Sequence, residues 1–248
     1  MIFVMAMIPR SFRWTAIALT LAIASTAVAI FPSVARYRPP SNLKRPDGRQ
    51  GAATRTICAK DHFTFEPVVP MSNYGQTVEA FPTFYWYLAN HAFSWARFEL
   101  YAAQPKTLKL EPDPIYQTTF RLKSDRTLYS LALPAAVGLP VLEKGRDYLW
   151  RLTLICSQGG PDDETANGSQ LSVQSWISRV ESSPGLKAKL VKNQRHYEVY
   201  SEEGLWYDAI HDLAVHRQQQ PRQPRLETDW NDLLQETTLR SIKTAIQP

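Results

Sequence analysis

Tyr148-Leu149-Trp150-Arg151-Leu152-Thr153-Leu154-Ile155-Cys156 is the stretch from which the fold of this chain is read. Tyr148, Trp150, Leu152, Leu154 and Cys156 recur at the two-residue period of a strand, so they share one face, and that face is buried. The approach to it, Leu142-Glu143-Lys144-Gly145-Arg146-Asp147-Tyr148, carries the leucine, glycine and tyrosine spacing of a tyrosine corner. In that motif the phenol hydroxyl bonds backbone a few residues upstream.

Working outward, short apolar runs alternate with turn residues at Thr64–Val69, Pro82–Leu88, Trp95–Ala102, Ile115–Leu122, Thr127–Leu133 and Leu171–Val180. With 148–157 these make seven strands and no helical period between them, which predicts an antiparallel β-sandwich over residues 56–181. The corner resembles the approach to the penultimate strand of fibronectin type III domains. The expected fold is therefore mainly β, immunoglobulin/fibronectin-III-like, with a helical C-terminal part. One strand is unusual: Phe84, Trp86 and Leu88 alternate with Thr83, Tyr85 and Tyr87, so both of its faces are aromatic. If Tyr85 and Tyr87 are bare, they form with Trp95 a surface that stacks on sugar rings or anchors a partner. Covering by the C-terminal helices is the expectation the sequence favours, because large apolar patches are rarely left exposed.

After Pro184-Gly185 the period changes. Leu186 and Leu190 predict a first helix, and Trp206, Ile210, Leu213 and Arg217 a second that stops before Pro221 and Pro224. A third is expected to begin near Asp229, read as the N-cap for Trp230, Leu233 and Leu234. About three helices over residues 182–248, each with one narrow apolar stripe, must pack on the sandwich.

Residues 1–35 hold Arg10 and Arg13, no acid, and an apolar run from Trp14 to Phe31, followed by Ser33-Val34-Ala35. That order is the signature of a secretory signal peptide. An uncleaved anchor is the alternative, disfavoured by Arg36, Arg38, Lys44 and Arg45 on its outer flank. Of the net charge of +5, the excess lies entirely in the first 55 residues. Residues 36–55, with six bases and several prolines, read as an extended linker, a solvated spacer in the first place, with loose attraction to an anionic membrane or polymer as the alternative. The remainder is near neutral, which excludes a nucleic-acid groove. In the exported compartment so implied, Cys58 and Cys156, the two cysteines of the chain, are expected to form one disulfide.

Candidate chemistry is sparse. Asp208, His211 and Asp212 share one face of the second predicted helix and could offer metal ligands, but the expectation is a solvated polar face. Asp162, Asp163, Glu164 and Asn167 lack the alternation of a calcium loop and read as a hairpin connection. No nucleophile elbow, zinc motif, phosphate loop or dinucleotide fingerprint is present, so no cofactor and no metal is expected. Catalysis would require Asp208, His211, His62 and Arg55 to converge on a cleft.

Several stretches resemble a family of exported proteins, mainly cyanobacterial, named for domain of unknown function 928. They are Arg49-Gln50-Gly51-Ala52-Ala53-Thr54-Arg55, Pro82-Thr83-Phe84-Tyr85-Trp86-Tyr87, Tyr148-Leu149-Trp150, Trp176-Ile177-Ser178-Arg179-Val180, Gly204-Leu205-Trp206-Tyr207-Asp208-Ala209 and Trp230-Asn231-Asp232-Leu233-Leu234. The chain departs from the pattern at Ser175, where glycine is expected. The resemblance implies an envelope or extracellular location and association with other exported proteins; it supplies no catalytic residues. Between its two arginines, the segment from Arg49 to Arg55 is read as a structural clamp, with Arg55 facing a carboxylate such as Asp208, ahead of an anion contact. The functional expectation is a non-enzymatic protein-binding module, with a carbohydrate-binding module or an envelope enzyme as alternatives.

Overall fold

Eight strands form in chain order: β1 (Ala59–Pro67), β2 (Tyr74–Thr77), β3 (Thr83–His91), β4 (Trp95–Ala102), β5 (Tyr116–Arg121), β6 (Leu128–Ala132), β7 (Asp147–Ile155) and β8 (Gln170–Arg179). The computed structural model describes residues 36–40, 57–105, 107–123, 127–135, 138, 141–157, 160 and 170–241, all within one compact unit. The strands make two sheets, ordered β1-β3-β6 and β2-β8-β7-β4-β5. β7 is the centre of the larger one, as its apolar face demands. Trp150 and Leu152 are fully buried, and Phe84 of β3 reaches across the interior to Phe98 at 4.9 Å and Trp150 at 5.4 Å.

The corner is present: Glu143 N–H donates to the Tyr148 hydroxyl at 2.7 Å, and Gly145 turns the chain at φ +75°. Cys58, just before β1, is bonded to Cys156, just after β7, with Cα atoms 5.9 Å apart. This bond fastens one sheet to the other. In the chain-entropy model, closing a loop of this length contributes about 5 kcal/mol.

The expected antiparallel sandwich is present, with one addition at its edge: β2, an unforeseen four-residue strand that runs parallel to β8. Its Gly75 permits a close approach that a side chain would block, since a Cβ there would lie 2.8 Å from the Tyr207 ring. Asn73, at φ +56°, turns the chain into β2, and the Ser175 hydroxyl donates to its carbonyl at 3.2 Å. Ser175 thus joins β8 to that turn.

Four α-helices follow: α1 (Pro184–Lys192), α2 (His196–Glu202), α3 (Trp206–Gln219) and α4 (Pro224–Gln235), then a short 3-10 turn, Thr238–Ser241. The expected count of about three missed α2. Asp229 is not an N-cap: α4 starts five residues earlier, with Pro224 in its first turn, where a missing N–H is harmless. Asp229 is instead buried, accepting the Tyr197 hydroxyl at 2.7 Å and facing Arg225 Nε at 3.4 Å. Glu198 of α2 takes Arg195 at 2.9 Å and Arg225 at 2.8 Å. The Arg225–Glu198 and Tyr197–Asp229 pairs bind α2 to α4.

Helices α3 and α4 lie on the outer face of the smaller sheet, whereas Leu186 of α1 and Val199 of α2 pack with Val78 and Val180 at the ends of β2 and β8. Tyr85 and Tyr87 are only 8% and 2% exposed, against α3 and α4 respectively: Tyr85 meets His211, while Tyr87 shares a small cavity with Trp230 and Leu234. Leu149 is covered from elsewhere, by Tyr74, Ala103, Trp176, Leu108 and Leu110.

Candidate functional site

The first turn of α3 is the point where the fold is tied together. Gly204, at φ +76°, lies so close to the Arg38 carbonyl and the Pro40 ring that a Cβ would meet them at 2.8 and 3.0 Å. Tyr37 is buried edge-on against Trp206, with ring centroids 4.8 Å apart, and Arg38 N–H donates to the Ser201 carbonyl. The start of the expected linker is therefore docked, not a free spacer. Trp206 sends its indole N–H to the Val68 carbonyl at 2.9 Å. Tyr207, buried, accepts the Trp150 indole N–H at 2.8 Å and donates to the Trp176 carbonyl at 3.0 Å.

Asp208 comes next. Its Oδ2 accepts Val78 N–H at 3.3 Å, joining α3 to the end of β2, while Oδ1 is buried with no hydrogen-bond partner among the described residues. The residue is 5% exposed, which corrects the expectation of a solvated polar face. Helical periodicity places Asp208 opposite Ile210 but cannot reveal that β2 closes over that side. Burial pushes its carboxyl up to about 7, and the negative charge of Glu79 adds to the rise. Hydrogen bonds from Thr77 and Val78 N–H oppose it.

Asp208 sits in the wall of a cavity of about 230 Å³ between the exit of β2, the start of β3, and helices α2 and α3. Glu79 stands exposed at the mouth, Asp212 and His211 line one side, and Phe81, Tyr200 and Tyr207 supply aromatic walls. The Tyr200 phenol is pushed up to about 12 by burial and then by the charges of Asp208, Glu79 and Asp212, so three carboxylates act on one point of the cleft. His211 Nδ1 is 3.0 Å from the Tyr85 hydroxyl, whose own ionisation burial raises to about 12. Asp212 Oδ2 accepts Tyr197 N–H at 2.8 Å, which fixes it in place.

Of the four groups expected to converge in an enzyme, Asp208 and His211 meet here. His62 does not. It sits at φ +60° in the irregular part of β1, its carbonyl accepting from Asn90 at 3.0 Å, near the far end of β3 from the cleft, a separation of roughly 25 Å. Arg49, Arg55 and the acidic residues Asp162, Asp163, Glu164 and Asn167 lie outside the described residues, as do residues 1–35. The Tyr85, Tyr87 and Trp95 platform is not formed: the two tyrosines are under the helices, and half-buried Trp95 carries the Arg121 guanidinium 5.0 Å from its ring centroid. Glu79, Thr77 and Tyr200 are the site residues that the sequence did not offer. Thr77 ends β2, Glu79 follows it and Tyr200 lies on α2, and neither of those two elements has a signal in the sequence.

The family model for Domain of Unknown Function (DUF928) matches residues 50–247. The chain belongs to the DUF928 family. Among curated proteins no match was found for this DUF928 chain. Among solved structures it is similar to the third fibronectin III domain of the human KIAA0343 protein, at 10% identity and a TM-score of 0.23, over 58% of this chain and 95% of that one. The fold of the DUF928 chain rests on its own strand order and corner.

Proposed function

We propose that the protein is an exported, non-enzymatic binding module of the cell envelope that engages another protein through the cleft between β2, β3 and α3. The observation that carries this reading is Asp208: a buried carboxyl with one oxygen unpaired weakens the fold, and such groups concentrate where a ligand completes them. The signal-like N-terminus and the disulfide support export. A photo-crosslinking residue placed at His211, on the exposed rim, is expected to join the protein to one polypeptide in intact envelopes, and Asp208→Asn is expected to abolish that product. Crosslinks that arise equally from Arg151, on the opposite sheet, or that survive Asp208→Asn, would sink the reading.

Catalysis is the second reading, favoured by a carboxyl held near neutrality, where general acids and bases work best.

A further inference from the structure

Resting on the binding reading, we infer that the cleft takes a lysine or arginine side chain of the partner polypeptide, with the cationic head between Glu79, Asp208 and Asp212 and the aliphatic stem against Phe81, Tyr200 and Tyr207. Three acids and three aromatic rings line a cavity whose described residues include no cation other than the ionisable His211. A lysine or arginine has the matching division, an apolar stem carrying a charge at its tip, and aromatic faces attract that charge further. The free Asp208 Oδ1 lacks a donor, which an ammonium or guanidinium supplies. A compact metal ion fits less well. Among the described residues no three His, Cys, Asp or Glu side chains converge tightly enough to hold one, whereas a guanidinium spreads five donors over several ångströms.

The groups that face Asp208 set the pH response. They are Glu79 and the Thr77 hydroxyl from β2 and its exit, Tyr200 from α2, and His211 and Asp212 from α3, with Tyr85 of β3 behind His211. A cation binds the ionised form of Asp208, so uptake expels a proton wherever that carboxyl is still protonated. Acidification protonates Asp208, and the loss of that negative charge weakens cation binding.

The test is calorimetric titration of the full mature protein with N-acetyl-lysine methylamide and N-acetyl-arginine methylamide, each beside its neutral counterpart, acetylated lysine and citrulline. One cationic probe is expected to bind at pH 8, to loosen roughly tenfold per pH unit below 7, and to release protons when titrated between pH 6 and 7. Both neutral probes should fail. Asp208→Asn, which keeps the bond to Val78 N–H, should lose at least tenfold in affinity, and Glu79→Gln should lose less. Equal binding of charged and neutral probes, or tighter binding at pH 5.5, would overturn the inference. So would preference for calcium or spermidine over both amino-acid probes. Tighter probe binding in Arg55→Gln would assign the cleft to the chain's own arginine, and also overturn it. If the probes fail while the His211 crosslink persists, the occupant is wrong and the binding reading stands; if both fail, the binding reading falls as well.

Discussion

The outer faces of the two sheets differ sharply, although β3 of one and β4 of the other are both rich in aromatic residues. In β3 every residue from Thr83 to Leu88 is buried, one face against the opposite sheet and the other against α3 and α4. In β4 burial alternates strictly: Ala96, Phe98, Leu100 and Ala102 are inside, while Trp95, Arg97, Glu99 and Tyr101 lie towards solvent. The open face is pinned by its own side chains, with Arg151 over the Tyr101 ring at 5.5 Å and the Tyr101 hydroxyl donating to Glu99 at 2.9 Å. A sheet face with polar residues interleaved needs no cover; one lined with Tyr85 and Tyr87 does. The helices are therefore part of the core of this protein, and the seam where they meet β2 is where the cleft opens.

The harshest test of that contrast is Trp206→Ala, at the junction of helices and sandwich. It removes a fully buried indole and its bond to Val68, and should cost about 5 kcal/mol of unfolding free energy in urea. Loss of under about 1 kcal/mol would show the helices to be a separable layer. Cys156→Ser comes next, expected to cost about 4 kcal/mol by the same measurement, because it releases the loop constraint on the unfolded chain.

Asp208→Asn sharpens the account of the seam. The native carboxyl titrates near 7 and the unfolded one near 4, so the native state holds its proton more tightly. The fold is not penalised at pH 4, loses stability as pH rises from about 4 to about 7, and carries the whole penalty above that. Three units set a ceiling of about 4 kcal/mol, and about 2 is expected once the cleft relaxes around the charge. The variant should therefore unfold at higher temperature than wild type at pH 8 and at the same temperature at pH 4. A stabilised variant with lost binding is the signature of a functional carboxyl, whereas a destabilised one at both pH values would make Asp208 a structural clamp. The smallest effect belongs to the open face: Arg151→Ala should change stability by no more than about 0.5 kcal/mol.

What the sequence disclosed follows from where the physical signal lies. β7, its corner and the disulfide were readable because each depends on local spacing or on the pairing of two cysteines. The cover over Tyr85 and Tyr87 was readable because bare aromatic faces are costly. β2 was hidden: Tyr74-Gly75-Gln76-Thr77 has no apolar run, and its place comes from parallel pairing with a strand about a hundred residues later. α2 was hidden too, since seven residues are too few to show a helical period, although Tyr197 and Val199 are buried and Glu198 takes two arginines. The spacing of Asp208, His211 and Asp212 was visible, but the burial that gives Asp208 its chemistry comes from the exit of β2. An error about one short strand thus became an error about the site.

The docking of Tyr37 on Trp206 sets a timetable. A polypeptide emerges from its amino terminus, so residue 37 is free long before residue 206 has been made, and the slot it fills does not exist until α3 arrives. The sandwich strands can pair in the meantime, but Gly75, Val68 and the outer face of β3 stay uncovered through that interval. Contacts that join the two ends of a chain are late and slow to form. The exposed aromatic strand is the form in which this protein is most open to capture by chaperones, or by another copy of itself.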